Sequence, residues 1–210
     1  MTDYITHIGT DESGKGDFFG PLVIAGVMVD EKNAEKFIEL GIKDSKKLSD
    51  KKMLSMAVEI KKYAPHSIIA ISNLKYNELY NNMKNLNKLL AWGHARAIEN
   101  ILEHNTCSYA LSDKFGDESL IQSALMKNGR SIRLDEMCKA ESDIAVAAAS
   151  VLARATFVQK MTDMENIYGI KFQKGCSSLV KDVAKDFVSK FGKEKLKEVC
   201  KTHFKTYKEI

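Results

Sequence analysis

The sequence predicts an α/β fold, a mixed β-sheet flanked by helices with a helical C-terminal extension. Three observations carry this. Two short β-rich runs open the chain around a glycine-rich stretch. Strand-like and helix-like periodicities then alternate through the middle, and residues 171–210 read as lysine-rich helices.

The opening runs, Tyr4–Gly9 and Pro21–Asp30, read as strands on either side of Gly14-Lys15-Gly16-Asp17-Phe18-Phe19-Gly20-Pro21. Asp44-Ser45-Lys46-Lys47-Leu48-Ser49-Asp50 breaks the pattern. Ser49 is placed to N-cap a helix whose apolar positions Met53, Met56, Ala57 and Ile60 recur at helical spacing. Ser67–Ser72 reads as a buried strand. Asn77 to Leu102 is helical in two pieces, with Leu86, Leu89, Leu90, Ala97 and Ile101 on one face. Cys107–Ser112 is a further short strand, followed directly by Asp113. Residues 141–168 form one long helix, and a loop at Gly175 leads to two helices split near Gly192. Residues 1–170 are expected to form the main domain, with 171–210 packed on it as an extension.

A chain of 210 residues with 44% hydrophobic and 29% charged residues, 12 Gly and only 2 Pro has the composition of a folded domain, which excludes collagen-like and low-complexity classes. It is long enough to bury a core without staples. Cys107, Cys138, Cys176 and Cys200 form no C-x-x-C, so neither a zinc knuckle nor a disulfide framework is expected. They read as reduced, mostly buried thiols of a cytoplasmic protein. The polar start has no signal-peptide pattern, and the longest apolar run, Leu22–Val29, falls far short of the roughly 20 residues that span a bilayer. A monomer without membrane contact is expected.

The net charge of +4 is unevenly placed: residues 171–210 carry 11 lysines against 5 acids, and a second group comprises Lys43, Lys46, Lys47, Lys51 and Lys52. Either run alone reads equally as a solvated helix face. Two basic groups flanking an acidic centre point to a polyanion, with Lys181, Lys185 and Lys201 as the phosphate contacts of the extension.

The stretch from Gly9 to Gly16 nearly matches a phosphate-binding loop, G-x-x-x-x-G-K-[ST], but position 16 is Gly where a hydroxyl is needed, Asp11 and Glu12 would face the phosphates, and Gly20-Pro21 stands where a helix should run. What remains is an acidic pair at a strand end, followed by glycines that let a backbone approach a ligand. Carboxylates gathered this way suit a hard cation such as Mg²⁺, which keeps waters and substrate oxygens in its shell. Taken alone, the pair could equally be surface turn residues. Successive strand residues point to opposite faces, so both reach one site only if the strand ends or bends at Glu12. Asp113 follows a strand, where open α/β sheets bind ligands. Glu141 shares a helical face with Ile144, Ala148, Val151 and Ala155, and a carboxylate on that stripe is costly unless it binds a metal. The alternative is a solvated first turn near the positive end of the helix dipole. His94 and His203 read as packing residues and are left out of the site.

The run Gly9-Thr10-Asp11-Glu12-Ser13-Gly14-Lys15-Gly16-Asp17-Phe18-Phe19-Gly20-Pro21 resembles the opening motif of the type 2 ribonucleases H, and its ending resembles the ribonuclease HIII branch. Asp44-Ser45-Lys46-Lys47-Leu48, Asn85 to His94, Lys139-Ala140-Glu141-Ser142, Ala147 to Ser150, Lys174-Gly175-Cys176 and Lys201-Thr202-His203-Phe204 agree in order along the chain. The resemblance implies an RNase H-like fold and an endonuclease that cuts the RNA strand of RNA/DNA hybrids to 5′-phosphate and 3′-hydroxyl ends. It also implies a catalytic, metal-binding set of Asp11, Glu12, Asp113 and Glu141 holding two Mg²⁺ or Mn²⁺ ions about 3.5–4 Å apart, with Asp11 as the bridge. Glu141, where the ribonuclease HII branch has Asp, points again to HIII. Gly14, Lys15 and Gly16 match the element that approaches ribose 2′-hydroxyls; Lys15 stands where HII typically has Arg. Ser45, Lys46 and Lys47 are the further substrate-binding residues. Members of the HIII type usually carry an N-terminal substrate-binding domain, whereas ten residues precede Asp11 here. Either that domain has been removed or the lysine-rich helices bind hybrid without it. Nicking at single embedded ribonucleotides, and hybrid binding without catalysis, are the alternative functions.

Overall fold

The computed structural model describes residues 5–42, 48–116 and 119–210. Its centre is a five-stranded sheet built from β1 (His7–Ser13), β2 (Leu22–Val29), β3 (His66–Ile71), β4 (Tyr109–Asp113) and β5 (Arg133–Met137), in the order β3-β2-β1-β4-β5. The pairs β1/β2 and β2/β3 are antiparallel, whereas β1/β4 and β4/β5 are parallel. The sheet is therefore mixed, as expected, and the parallel pairs require helical crossovers.

Helices cover both faces. α1 (Glu31–Glu39), α2 (Asp50–Tyr63) and α6 (Ile144–Tyr168) lie on one; α3 (Asn73–Met83), α4 (Leu86–Leu102) and the short α5 (Ser119–Ala124) lie on the other. The strand period of two sorts the side chains. Val23, Ala25, Val27 and Val29 of β2 pack towards α6 and α2, while Leu22 and Ile24 pack towards α4. Capping sets the helix starts: the Ser49 side chain accepts from the Lys52 N–H, as its spacing predicts, and Asp30, Ser72 and Asn85 cap α1, α3 and α4 in the same way.

Helix α6 departs from the expected amphipathic stripe. Ala145 to Ala153 are all buried, so its first half is enclosed on every side and has no polar face. By length and composition α6 could cross a membrane, but 67% of its most apolar window is buried inside the protein. The helix also starts later than expected: Asp143 is its N-cap, accepting from the Ala145 and Val146 N–H groups at 2.9 and 3.1 Å, and Glu141 lies before it in a 3-10 turn, Ala140–Ser142. Glu141 is therefore not on the α6 face, because the cap ends the helix two residues after it. β1 meets α6 at closest range through Gly9, where an added methyl would collide with the backbone of Ala145 and Val146.

The C-terminal helices α7 (Ser178–Phe191), α8 (Lys193–Leu196) and α9 (Lys205–Lys208) share the α6 core through Val180, Ala184, Phe187, Leu196, Val199 and Cys200. Lys201 is not a surface lysine. It is wholly buried, and its Nζ donates to the carbonyls of Asp17 and Gly20, so it cannot contact phosphate. All four cysteines are free, but only Cys200 is buried; Cys138 and Cys176 are exposed on loops.

Candidate active site

A cavity of about 520 Å³ opens at the ends of β1 and β4 and is lined by Asp11, Glu12, Asp113 and Glu141 with Gly14, Lys15 and Gly16. The four acids selected from the sequence thus meet in one place, supplied by two strands and the 3-10 turn. Ser45, Lys46 and Lys47 lie outside the described residues.

The acidic pair converges without the expected break. β1 continues through Glu12 to Ser13, paired with β2 throughout. Asp11 instead faces α6, where it interacts with the Ser150 hydroxyl, while Glu12 faces α4, where His94 Nε2 lies 3.3 Å from its carboxylate. The cavity sits at the end of the sheet and reaches around the strand, so opposite faces serve one site. His94 is fully buried. Its Nδ1 lies 2.8 Å from the Thr10 hydroxyl and its ring stacks on Phe115. A carboxylate only accepts, which assigns a proton on Nε2 to the bond with Glu12.

The two carboxylates are held in opposite electrostatic states. Burial, reinforced by the neighbouring Glu12 charge, pushes the Asp11 pKa up to about 6 in spite of its hydrogen bonds. Burial also works against the Glu12 charge, but His94 and Lys15 outweigh it and hold that pKa below the usual glutamate value. Lys15 Nζ stands 3.5 Å from Glu12 and 5.5 Å from the Phe115 ring centroid.

Asp113 is the last residue of β4, and its Oδ1 accepts from the Ala140 N–H at 3.0 Å. That bond ties the strand end to the turn bearing Glu141, which is aimed by the left-handed backbone of Lys139. Across the cavity, the glycine-rich turn presents bare backbone. Gly14 has φ +88°, and a side chain there would strike the Pro21 carbonyl and the Phe157 ring, whereas Gly16 has open space around it.

Ser150, Arg154, Phe157 and Lys174 also line the cavity and are not among the site residues read from the sequence, although Ser150 and Lys174 lie in blocks that carry the resemblance. The signal was available for the α6 residues: Val146, Ser150, Arg154 and Phe157 recur every three or four positions. The apolar stripe through Ala148 and Val151 masked it. The sequence reads His94 as a packing residue; it packs on Phe115 and also holds Glu12.

Four hard carboxylate oxygen donors along an open wall suit Mg²⁺ or Mn²⁺, which bind through a few carboxylates and leave sites for water and substrate. Among the described residues no three His, Cys, Asp or Glu side chains close into a compact metal cage. The arrangement fits a cation shared with a substrate better than a structural one.

A mixed sheet thus delivers carboxylates from the ends of two adjacent strands to one cavity beside a bare glycine turn. The chain belongs to the ribonuclease HII family, whose model matches residues 8–207. It is 45% identical over 204 residues to a ribonuclease HIII of Protochlamydia amoebophila, covering 97% of this chain and 68% of that one. It is 44% identical to a ribonuclease HIII of Chlamydia felis, covering 99% and 70%. The crystal structure of Bst-RNase HIII in complex with Mn²⁺ superposes with a TM-score of 0.91 at 30% identity, over 99% of this chain and 69% of the other. The chain is an endoribonuclease with the RNase H-like fold.

Proposed function

We propose that this protein hydrolyses the RNA strand of RNA/DNA hybrids with Mg²⁺ or Mn²⁺, leaving 5′-phosphate and 3′-hydroxyl ends, as a monomer in the cytoplasm. The observation that carries the reading is the convergence of Asp11, Glu12, Asp113 and Glu141 on one cavity. These four would hold the cations. When bound, the cations activate water near neutral pH and offset charge on the leaving oxygen.

The protein's own residues supply placement. His94 and Lys15 keep Glu12 ionised and aimed at the cavity. The Ala140 N–H orients Asp113. The open backbone of Gly14, Lys15 and Gly16 admits a ribose and can test its 2′-hydroxyl, which distinguishes RNA from DNA. Arg154 and Lys174 bring positive charge to the cavity wall for the phosphate backbone. Ser45, Lys46 and Lys47 also bind substrate.

The test is a substrate panel with Mg²⁺ and with Mn²⁺: a uniform RNA/DNA hybrid, duplexes with one and with four embedded ribonucleotides, and plain DNA. Cleavage of the hybrid and the four-ribonucleotide duplex, abolished by EDTA, is expected. Preferential nicking at the single ribonucleotide would reassign the specificity. Tight hybrid binding with no cleavage under any metal would reduce the protein to a binding module.

A further inference from the structure

Among the described residues Lys201 is the one lysine that is wholly buried, and it lies against the turn that borders the cavity. Its Nζ donates to the Asp17 carbonyl at 2.9 Å and the Gly20 carbonyl at 2.6 Å, and lies 5.5 Å from the Tyr76 ring centroid. Its backbone N–H donates to the Phe18 carbonyl at 2.9 Å. All three acceptors belong to the turn that carries Gly14, Lys15 and Gly16. Within that turn the Asp17 N–H donates to the Gly14 carbonyl at 3.3 Å, so a continuous hydrogen-bond path runs from Lys201 to the cavity wall.

Burying an ammonium is costly, and an apolar side chain would pack the C-terminal segment at less expense in free energy. Burial pulls the Lys201 pKa down to about 7, which shows the same cost. Among the described residues its Nζ hydrogen-bonds to turn carbonyls, and the Asp17 charge of the same turn offsets part of the burial. Neighbouring contacts reinforce the same grip. Asn73 Nδ2 donates to the Gly20 carbonyl at 2.8 Å, the Gly20 N–H donates to Val199 O at 3.0 Å, and the Phe18 N–H to Gly175 O at 2.9 Å. The turn has positive φ at Gly14 and Gly20, a conformation glycine adopts without strain, so the turn's exact geometry is set by its contacts and not by the backbone alone.

We propose that Lys201 is a positioning residue for substrate, fixing the glycine-rich turn so that Gly14–Gly16 meets the ribose in one geometry. This rests on the hybrid-cleavage reading above. The C-terminal segment thereby acts on ribose recognition without touching nucleic acid.

The test compares wild type with Lys201→Met, which keeps length and loses the donors, and with Leu196→Ala, which weakens the same C-terminal core away from the turn. Each is assayed well below its own melting temperature. Lys201→Met should raise KM for hybrid about tenfold with a smaller change in kcat, because a displaced turn costs binding before chemistry. In EDTA it should narrow the affinity gap between RNA/DNA and DNA/DNA duplexes, while Leu196→Ala leaves both readouts as in wild type. Asn73→Ala removes the second donor to Gly20 and should move KM the same way by a smaller factor, which keeps the question open to test should Lys201→Met fail to fold. Wild-type KM and discrimination in Lys201→Met, or in Asn73→Ala if that is the variant available, would overturn the role. Loss of function in the wild type itself would instead count against the hybrid-cleavage reading.

Discussion

His94 and Glu12 come from opposite sides of a sheet–helix boundary, and the 3.3 Å contact between them is what turns Glu12 towards the cavity. The imidazole is anchored at its other nitrogen by Thr10, one residue before Asp11, so a single strand supplies both the anchor and the target. His94→Phe preserves the stacking on Phe115 and removes the Glu12 contact. Its kcat should fall at least about tenfold with only a modest loss of stability. Steady-state kinetics with thermal melts will check this; a variant that melts early but cleaves normally would make His94 a packing residue only.

Asp11→Asn should lower cleavage by at least about 10²-fold while hybrid affinity is kept or increased, since a cation ligand and one repulsive charge are withdrawn together. Rates under saturating hybrid and binding in EDTA separate the two effects.

The raised Asp11 pKa also has a stability consequence. An acid whose folded pKa exceeds its unfolded value binds more protons when folded, so its contribution is present below the unfolded value near 3.8 and is lost as pH rises through about 6. In EDTA, Asp11→Asn should therefore be more stable than wild type above pH 6, by about 3 kcal/mol at pH 7, with the difference closing towards pH 4. Denaturant melts across that range provide the measurement, and a pH-independent difference contradicts it.

Glu141→Gln should abolish cleavage and raise the melting temperature in EDTA, because carboxylates crowded around one cavity repel one another. A sharp drop in melting temperature with activity intact would mean that the 3-10 turn, and not the chemistry, needs Glu141.

Neutralising Arg154 and Lys174 together should weaken hybrid binding and reduce the magnitude of the log–log salt slope by about two, roughly one per lost phosphate contact. The cleavage pattern should stay as it is, since phosphate contacts position a duplex without choosing its nucleotides. Parallel slopes for variant and wild type would move the substrate grip elsewhere on the surface.

Much of this was legible from local pattern. The helix capped by Ser49, the strand β2 and the break between α3 and α4 follow from spacing and capping chemistry alone. β5 was not recognised, because Arg133-Leu134-Asp135-Glu136-Met137 is a polar edge strand whose identity comes from pairing with β4. Helix α1 was missed for a related reason: its nine residues bury only Ala34 and Phe37, too few for a clear period. Asp11, Glu12 and Asp113 are legible as acids at strand ends, a local signal, whereas Glu141 follows only from the family resemblance, because the helical face assigned to it begins after the Asp143 cap. The roles of His94 and Lys201 were not legible, since each depends on a partner far away in sequence: Glu12 is 82 residues from His94, and Gly20 is 181 from Lys201.

The contact of Gly9 with the backbone of Ala145 and Val146 bears on how such a site tolerates mutational drift. Two main chains in direct contact form a spacer that no exchange of neighbouring side chains can lengthen or shorten. The alanines and valines of α6 can trade places with one another over generations, altering cohesion and melting behaviour, while the separation between the strand carrying Asp11 and the helix carrying Ser150 stays the same. Geometry at the chemical centre is thus insulated from composition in the interior, and the insulation depends on a single hydrogen atom standing where every other amino acid would place a carbon.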